Sequence, residues 1–182
     1  MATTQLKGNN VNLAGRELNV GDKAPKVILP NKSLADVTVG GCQDYTTMIV
    51  VVPSLDTPVC AAETRKFNEK AASIPGVKVF VVSMDLPFAA NRFCSTEGIE
   101  NLDVLSDFRN KTFANEYGVL IADGALRGLT CRAIFVLDKD GVVTYKEIVP
   151  EITAEPNYDA AIAAAEKTAG VTASGCCGGG CH

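Results

Sequence analysis

Apolar residues in this chain gather in short unbroken runs, separated by glycine, proline and charged clusters. Met48-Ile49-Val50-Val51-Val52 shows no alternation, as expected of a strand buried on both faces. Val77-Lys78-Val79-Phe80-Val81-Val82-Ser83 is a second, mostly apolar strand. Between them residues 61–73 read as a helix, ended by Pro75-Gly76. Pro87 opens a helix that runs through Phe93 and Cys94 and closes near Gly98. Val104-Leu105-Ser106 is a short strand, and residues 110–117 read as a helix stopped by Gly118. Residues 133–137 and 142–145 flank Asp138-Lys139-Asp140-Gly141, the strongest hairpin signal in the chain. Residues 157–169 form an alanine-rich last helix. Near the start, Gly8-Asn9-Asn10 and Ala14-Gly15-Arg16 punctuate a small hairpin within residues 5–20, and a turn at residues 21–25 leads to Val27-Ile28-Leu29. Strands alternating with helices, then an antiparallel hairpin and a helix, predict an α/β domain with a mixed sheet.

A chain of 182 residues accommodates one domain with a sizeable core. That domain is expected over residues 1–170. Residues 171–182 depart from it: glycine and cysteine dominate, no core-forming residue follows Val171, and a flexible tail is expected. Apolar residues make up 47% and charged ones 21%, the balance of a globular chain. The net charge of −4 is spread along the sequence, so it offers no footprint for nucleic acid or an anionic membrane. No apolar run is long enough to span a bilayer, and the polar first ten residues do not resemble a signal peptide. The expected compartment is the cytoplasm.

Seven cysteines in such a compartment point to catalysis, redox chemistry or metal binding more than to structural cross-links. The single histidine is the final residue, His182, which removes Cys-His and Ser-His pairs and histidine-rich zinc sites from the folded core. One stretch then stands out: Pro53-Ser54-Leu55-Asp56-Thr57-Pro58-Val59-Cys60, between the first strand and the first helix. Thr57 suits an N-cap, and Pro58 falls at the first helical position, where its missing N–H costs nothing. Cys60 would then sit over the free N–H groups and the positive end of the helix, with Arg65 and Lys66 close behind. A thiol so placed is activated as a nucleophile. The alternative is a small buried apolar residue after a capped helix start.

The stretch matches the PxxxTxxC pattern of peroxiredoxins at Pro53, Thr57 and Cys60. Together with Thr64-Arg65-Lys66-Phe67-Asn68, it resembles the thiol peroxidase subfamily. Asp85-Leu86-Pro87-Phe88-Ala89, Arg92-Phe93-Cys94, Leu105-Ser106-Asp107-Phe108-Arg109 and Glu151-Ile152-Thr153 agree, and the resemblance covers roughly residues 3–169. It implies a thioredoxin-like fold with an N-terminal hairpin, reduction of alkyl, lipid and hydrogen peroxides, thioredoxin as reductant, a homodimer and no cofactor. It makes Cys60 the peroxidatic cysteine, Cys94 the resolving cysteine of an intramolecular disulfide, Thr57 and Pro53 the shapers of the pocket, and Arg132 the contact to thiolate and peroxide. The N–H groups of Val59 and Cys60, the Thr57 hydroxyl and the Arg132 guanidinium are the candidate donors to the charge that develops as the O–O bond breaks. Taken without the resemblance, Cys94 reads rather as an inert core cysteine and Arg132 as half of a surface ion pair, and Thr57 has the alternative of a helix cap only.

Three cysteines remain outside that scheme in the tail: Cys176, Cys177 and Cys181, followed by His182. Thiolates with one imidazole suit zinc or copper(I), although the spacing matches no zinc motif. A thiol-exchange tail, or an appendage that binds nothing, reads the same residues as well. A metal-handling protein on a thioredoxin-like scaffold, and a relay passing oxidation from Cys60 to a partner, are therefore the rival functions. Cys131 stands where the family pattern has alanine and is expected to be a small buried residue. Cys42 is expected to be structural.

Overall fold

The apolar run at 48–52 becomes the centre of the molecule. The computed structural model describes residues 2–172, so the tail candidates Cys176, Cys177, Cys181 and His182 lie outside the described residues. In chain order the elements are β1 (Thr3–Leu6), β2 (Asn9–Ala14), β3 (Val27–Pro30), β4 (Asp36–Val39), β5 (Thr46–Val51), α1 (Pro58–Lys70), β6 (Val77–Ser83), α2 (Pro87–Glu97), β7 (Asp103–Ser106), α3 (Thr112–Glu116), β8 (Leu120–Ile121), β9 (Ala133–Leu137), β10 (Val143–Ile148) and α4 (Tyr158–Thr172). Five strands form the main sheet in the order β10-β9-β5-β6-β7. β5, β6 and β7 are parallel, with α1 and α2 as crossovers, while β9 and β10 are antiparallel. The sheet is therefore mixed and flanked by helices, as the alternation of elements predicted.

All six residues of β5 are buried, and its apolar residues, with Val52 just beyond, divide between two cores. Successive side chains on a strand point to opposite faces. Ile49 and Val51 join Phe80, Val82 and Phe135 under the layer made by β2, β3, β4 and α3. Met48, Val50 and Val52 join Val81, Ile134 and Val136 beneath α1, α2 and α4. Cys60 and Cys94 both belong to this second core.

The N-terminal hairpin pairs Thr3–Leu6 with residues 9–12. Its two-residue turn, Lys7-Gly8, has φ of 50° and 81°, the left-handed pair that a hairpin of this length requires. This is shorter than the expected 5–20, and the chain beyond Gly15 leaves the sheet. α1 starts at Pro58 and ends at Lys70, not at residues 61–73, because Ala71 and Ala72 both donate to the Phe67 carbonyl and close the helix there. Buried Ala71 continues the apolar pattern past that end, which is why the pattern alone overruns. β4 and the two-residue β8 were not expected from the sequence. Asp36-Val37-Thr38-Val39 has no apolar run, and Leu120–Ile121 is ordered by pairing with Leu13 and Ala14 of β2.

Candidate active site

The loop from β5 to α1 is tied down by a carboxylate outside it. Asp85, just past β6, accepts the Ser54 hydroxyl at 2.8 Å, the Leu55 N–H at 2.7 Å and the Ser83 hydroxyl at 2.7 Å. Pro53 is buried at the start of this loop. Thr57 then takes the N-cap position with extended backbone, φ −110° and ψ 146°, and Pro58 follows at the first helical position. The Thr57 side chain does not cap the helix. Its hydroxyl donates to the Ser54 carbonyl at 3.1 Å. With its proton engaged, the oxygen offers lone pairs only.

Cys60 is the third residue of α1 and is fully buried. The first intrahelical bond runs from the Ala61 N–H to the Thr57 carbonyl at 3.0 Å, leaving the N–H groups of Val59 and Cys60 without an intrahelical acceptor. Arg132 enters from the opposite side, one residue before β9, and is also buried. Its Nη1 donates to Cys60 Sγ at 3.3 Å, and its Nε donates to the Ile152 carbonyl at 2.8 Å. A surface ion pair, the other reading of this arginine, is thereby excluded.

A residue not anticipated from the sequence completes the arrangement. Glu63 lies one turn beyond Cys60 on the same helix face, with its side chain wholly buried. Arg132 Nη1 contacts Glu63 Oε2 at 2.5 Å, while Oε1 has no hydrogen-bond partner. Burial drives the Glu63 carboxyl up to about 7, against the pull of Arg132. Burial opposes the Arg132 charge, yet Glu63 and Cys60 hold the guanidinium above its ordinary value. The only signal in the sequence was the i, i+3 spacing from Cys60.

Cys94 lies in the last turn of α2 with its thiol buried. Burial raises the Cys94 thiol above its ordinary value. Cys60 and Cys94 share one apolar core but are both thiols, with no bond between them. A cleft of about 330 Å³ runs between the 54–56 loop and α2, lined by Asp85, Ala89, Arg92 and Phe93 among others; Cys60 does not line it. Cys131 is buried as expected, and burial pushes its thiol up to about 12. Cys42 is on the surface, its Sγ 4.0 Å from Asp140 Oδ1. The structure thus brings together Cys60, Arg132 and Glu63, sets Thr57 and Pro53 on the adjoining loop, and keeps Cys94 on a neighbouring helix.

Comparison with known proteins shows the family and the fold. The Redoxin family profile matches residues 19–162. A thiol peroxidase of Aquifex aeolicus is 55% identical over 157 residues, covering 86% of this chain and 92% of its own. A thiol peroxidase of Campylobacter jejuni is 54% identical over 183 aligned residues and is covered, like this chain, in full. The crystal structure of a peroxiredoxin-like protein from Aquifex aeolicus shares the fold with a TM-score of 0.90 at 52% identity, over 92% of this chain and 98% of that one.

Proposed function

The chain belongs to the thiol peroxidases of the redoxin family, and from that premise we propose that Cys60 is its peroxidatic cysteine and Cys94 its resolving cysteine. The protein is a thiol-dependent peroxidase, and its substrates are hydroperoxides. The observation that carries the assignment is the 3.3 Å contact from Arg132 Nη1 to a Cys60 sulfur buried at a helix N-terminus. A buried cation and two helix-start N–H groups without an intrahelical acceptor stand beside the sulfur that attacks peroxide. The thiolate attacks one peroxide oxygen, an S–O bond forms as the O–O bond breaks, and the other oxygen leaves as alkoxide or hydroxide and takes a proton. Arg132 and the N–H groups of Val59 and Cys60 face the negative charge passing from sulfur to that oxygen. The Thr57 oxygen accepts the peroxide O–H, and Pro53 shapes the wall of the pocket.

The product is a Cys60 sulfenic acid. The Cys94 thiol then attacks its sulfur, releasing water and leaving an intramolecular disulfide. Thioredoxin supplies two electrons and two protons to restore both thiols. A thioredoxin-coupled cycle requires a reducing compartment, which supports a cytoplasmic site of action. Among the described residues, no helix is long and apolar enough to cross a membrane. Residues 1–170 act as a single domain in this reading. A homodimer is supported by large apolar side chains left exposed near the carboxyl ends of β6 and β7: Leu86, Phe88 and Phe108, with Ile28 of β3. Peroxide consumption coupled to thioredoxin oxidation tests the assignment. Cys60→Ser is expected to abolish it, and an unchanged rate would sink this reading.

A further inference from the structure

The guanidinium of Arg132 is held at two points. Nη1 meets Cys60 and Glu63, and Nε meets the Ile152 carbonyl at 2.8 Å. A planar group fixed at both ends has its direction set by both, so the placement of the Ile152 carbonyl is also the placement of the arginine. Ile152 belongs to no helix or strand; it follows β10 in residues 149–153. One tie back to the sheet is the Val149 N–H, which donates to the Arg132 carbonyl at 3.0 Å.

The other ties come from the N-terminal hairpin. The Thr4 hydroxyl donates to the Val149 carbonyl at 2.8 Å. The Gln5 N–H donates to the Pro150 carbonyl and the Ile152 N–H to the Gln5 carbonyl, both at 2.8 Å, so β1 takes the segment on as a short parallel bridge. Glu151, the residue before Ile152, turns outward to the hairpin turn. Its two carboxylate oxygens accept the Lys7 N–H at 2.9 Å and the Gly8 N–H at 3.1 Å. Lys7 and Gly8 are consecutive left-handed residues, and such a pair presents its N–H groups together as a nest for an anion. The Thr153 hydroxyl adds a contact at 3.0 Å. The N–H groups of Gly8 and Lys7 hold the Glu151 carboxyl down to about 2, so it is an anion at neutral pH.

We propose that Glu151 is a positioning residue for peroxide reduction: by locking residues 149–153 onto the hairpin turn, it fixes the Ile152 carbonyl and through it the direction of Arg132 at Cys60. The proposal rests on the assignment of Cys60 and Arg132 above. It gives the N-terminal hairpin a part in catalysis although the hairpin reaches the reacting sulfur only through this segment. Misplacement of a catalytic group by about an ångström costs up to about a hundredfold in rate.

Single-turnover oxidation of the full chain by hydrogen peroxide tests it, with the Cys60 oxidation step and the Cys60–Cys94 disulfide step read separately. Glu151→Ala is expected to slow the first step about tenfold, to leave the second unchanged, and to add nothing when Arg132 is already lysine. Glu151→Gln, which keeps the shape and one acceptor, is expected to recover part of the loss. A first step within about twofold of the parent, or a loss that multiplies fully with that of Arg132→Lys, would overturn the proposal. If Glu151→Ala loses its folded circular dichroism, Glu151→Gln is judged by the same two readings. Should Arg132→Lys alone leave the first step unchanged, the underlying assignment of Arg132 fails, and this proposal with it.

Discussion

Cys60 and Glu63 meet at one nitrogen of Arg132: Nη1 lies 3.3 Å from the sulfur and 2.5 Å from the carboxylate oxygen. Both side chains project from the same face of α1, so the helix presents to the arginine a nucleophile and a counter-charge together. The buried pair holds the cation in place, and the sulfur uses it.

Arg132→Lys keeps the charge but loses the planar fork. One ammonium cannot reach Cys60, Glu63 and the Ile152 carbonyl with the same geometry. Loss of one such donor typically costs about a hundredfold or more in the charge-developing step. The second-order rate of Cys60 oxidation, followed by stopped flow, is expected to fall by roughly that factor. The subsequent disulfide step, which does not involve this charge, is expected to hold.

Glu63 predicts a pH dependence of stability. Its carboxyl sits at about 7 in the fold against an ordinary 4.5, with burial as the main cause. Between those values the folded protein retains a proton that the unfolded chain has released. The contribution of Glu63 to stability is therefore full below about pH 4.5 and declines as pH rises toward 7, by on the order of 3 kcal/mol. Glu63→Gln, which mimics the protonated carboxyl, is expected to be close to the parent in stability near pH 5 and to show a flatter profile over that window. Urea midpoints at about pH 5 and about pH 8 measure both effects, and an unaltered slope in the variant would rule out Glu63 as the source.

The contrast between Cys60 and Glu63 also shows what could be read in advance. Thr57, Pro58 and Cys60 signal one another within four positions, and β5 declares itself by six consecutive buried residues. Those relationships are local, so the chain displays them. Glu63 is an ordinary helical residue until Arg132, 69 positions away, is folded against it. Asp85 is equally silent, because the loop it holds lies some 30 positions earlier. The partner of the Thr57 hydroxyl is silent for a related reason: it is a backbone carbonyl, which leaves no trace in residue type. β4 and β8 are ordered by their pairing partners and not by their own composition.

Asp85→Ala should expose what holds the active-site loop. The carboxylate gathers the Ser54 hydroxyl and the Leu55 N–H from the loop and the Ser83 hydroxyl from β6. Without it the turn that delivers Thr57 and the start of α1 is free to shift. A fall of about tenfold or more in Cys60 oxidation is expected, with Asp85→Asn intermediate because it keeps one accepting oxygen. Rates equal to the parent in both variants would remove Asp85 from the account.

Cys94→Ser should separate the two halves of the cycle. Cys60 oxidation is expected at the parental rate for one turnover, since Cys94 takes no part in it. Recycling by thioredoxin should then stall, with the sulfenic acid open to further oxidation at high peroxide. Mass mapping after a single turnover would find the oxygen on Cys60; sustained turnover in the variant would show that another thiol resolves it.

The disulfide step itself must deform the fold. Cys60 and Cys94 are both buried thiols on different helices, and a disulfide needs their α-carbons within about 7 Å. Cys94 stands in the final turn of α2, where its carbonyl accepts the N–H groups of Gly98 and Ile99. That turn is the part of the helix closest to fraying. It is also clasped to α1 by Arg65 and Glu97, paired at 2.5 Å with side chains 45% and 29% exposed. An exposed pair of this kind contributes at most about 1 kcal/mol, so its removal can speed a step that must break it by up to about fivefold. Glu97→Gln is therefore expected to raise the rate of Cys60–Cys94 disulfide formation two- to threefold, roughly, and to reduce overoxidation of Cys60 at high peroxide. Amide exchange should show lower protection over residues 58–64 and 90–97 in the oxidised protein than in the reduced one. Equal protection in both forms, with an unchanged disulfide rate in Glu97→Gln, would mean that the two cysteines meet without opening either helix.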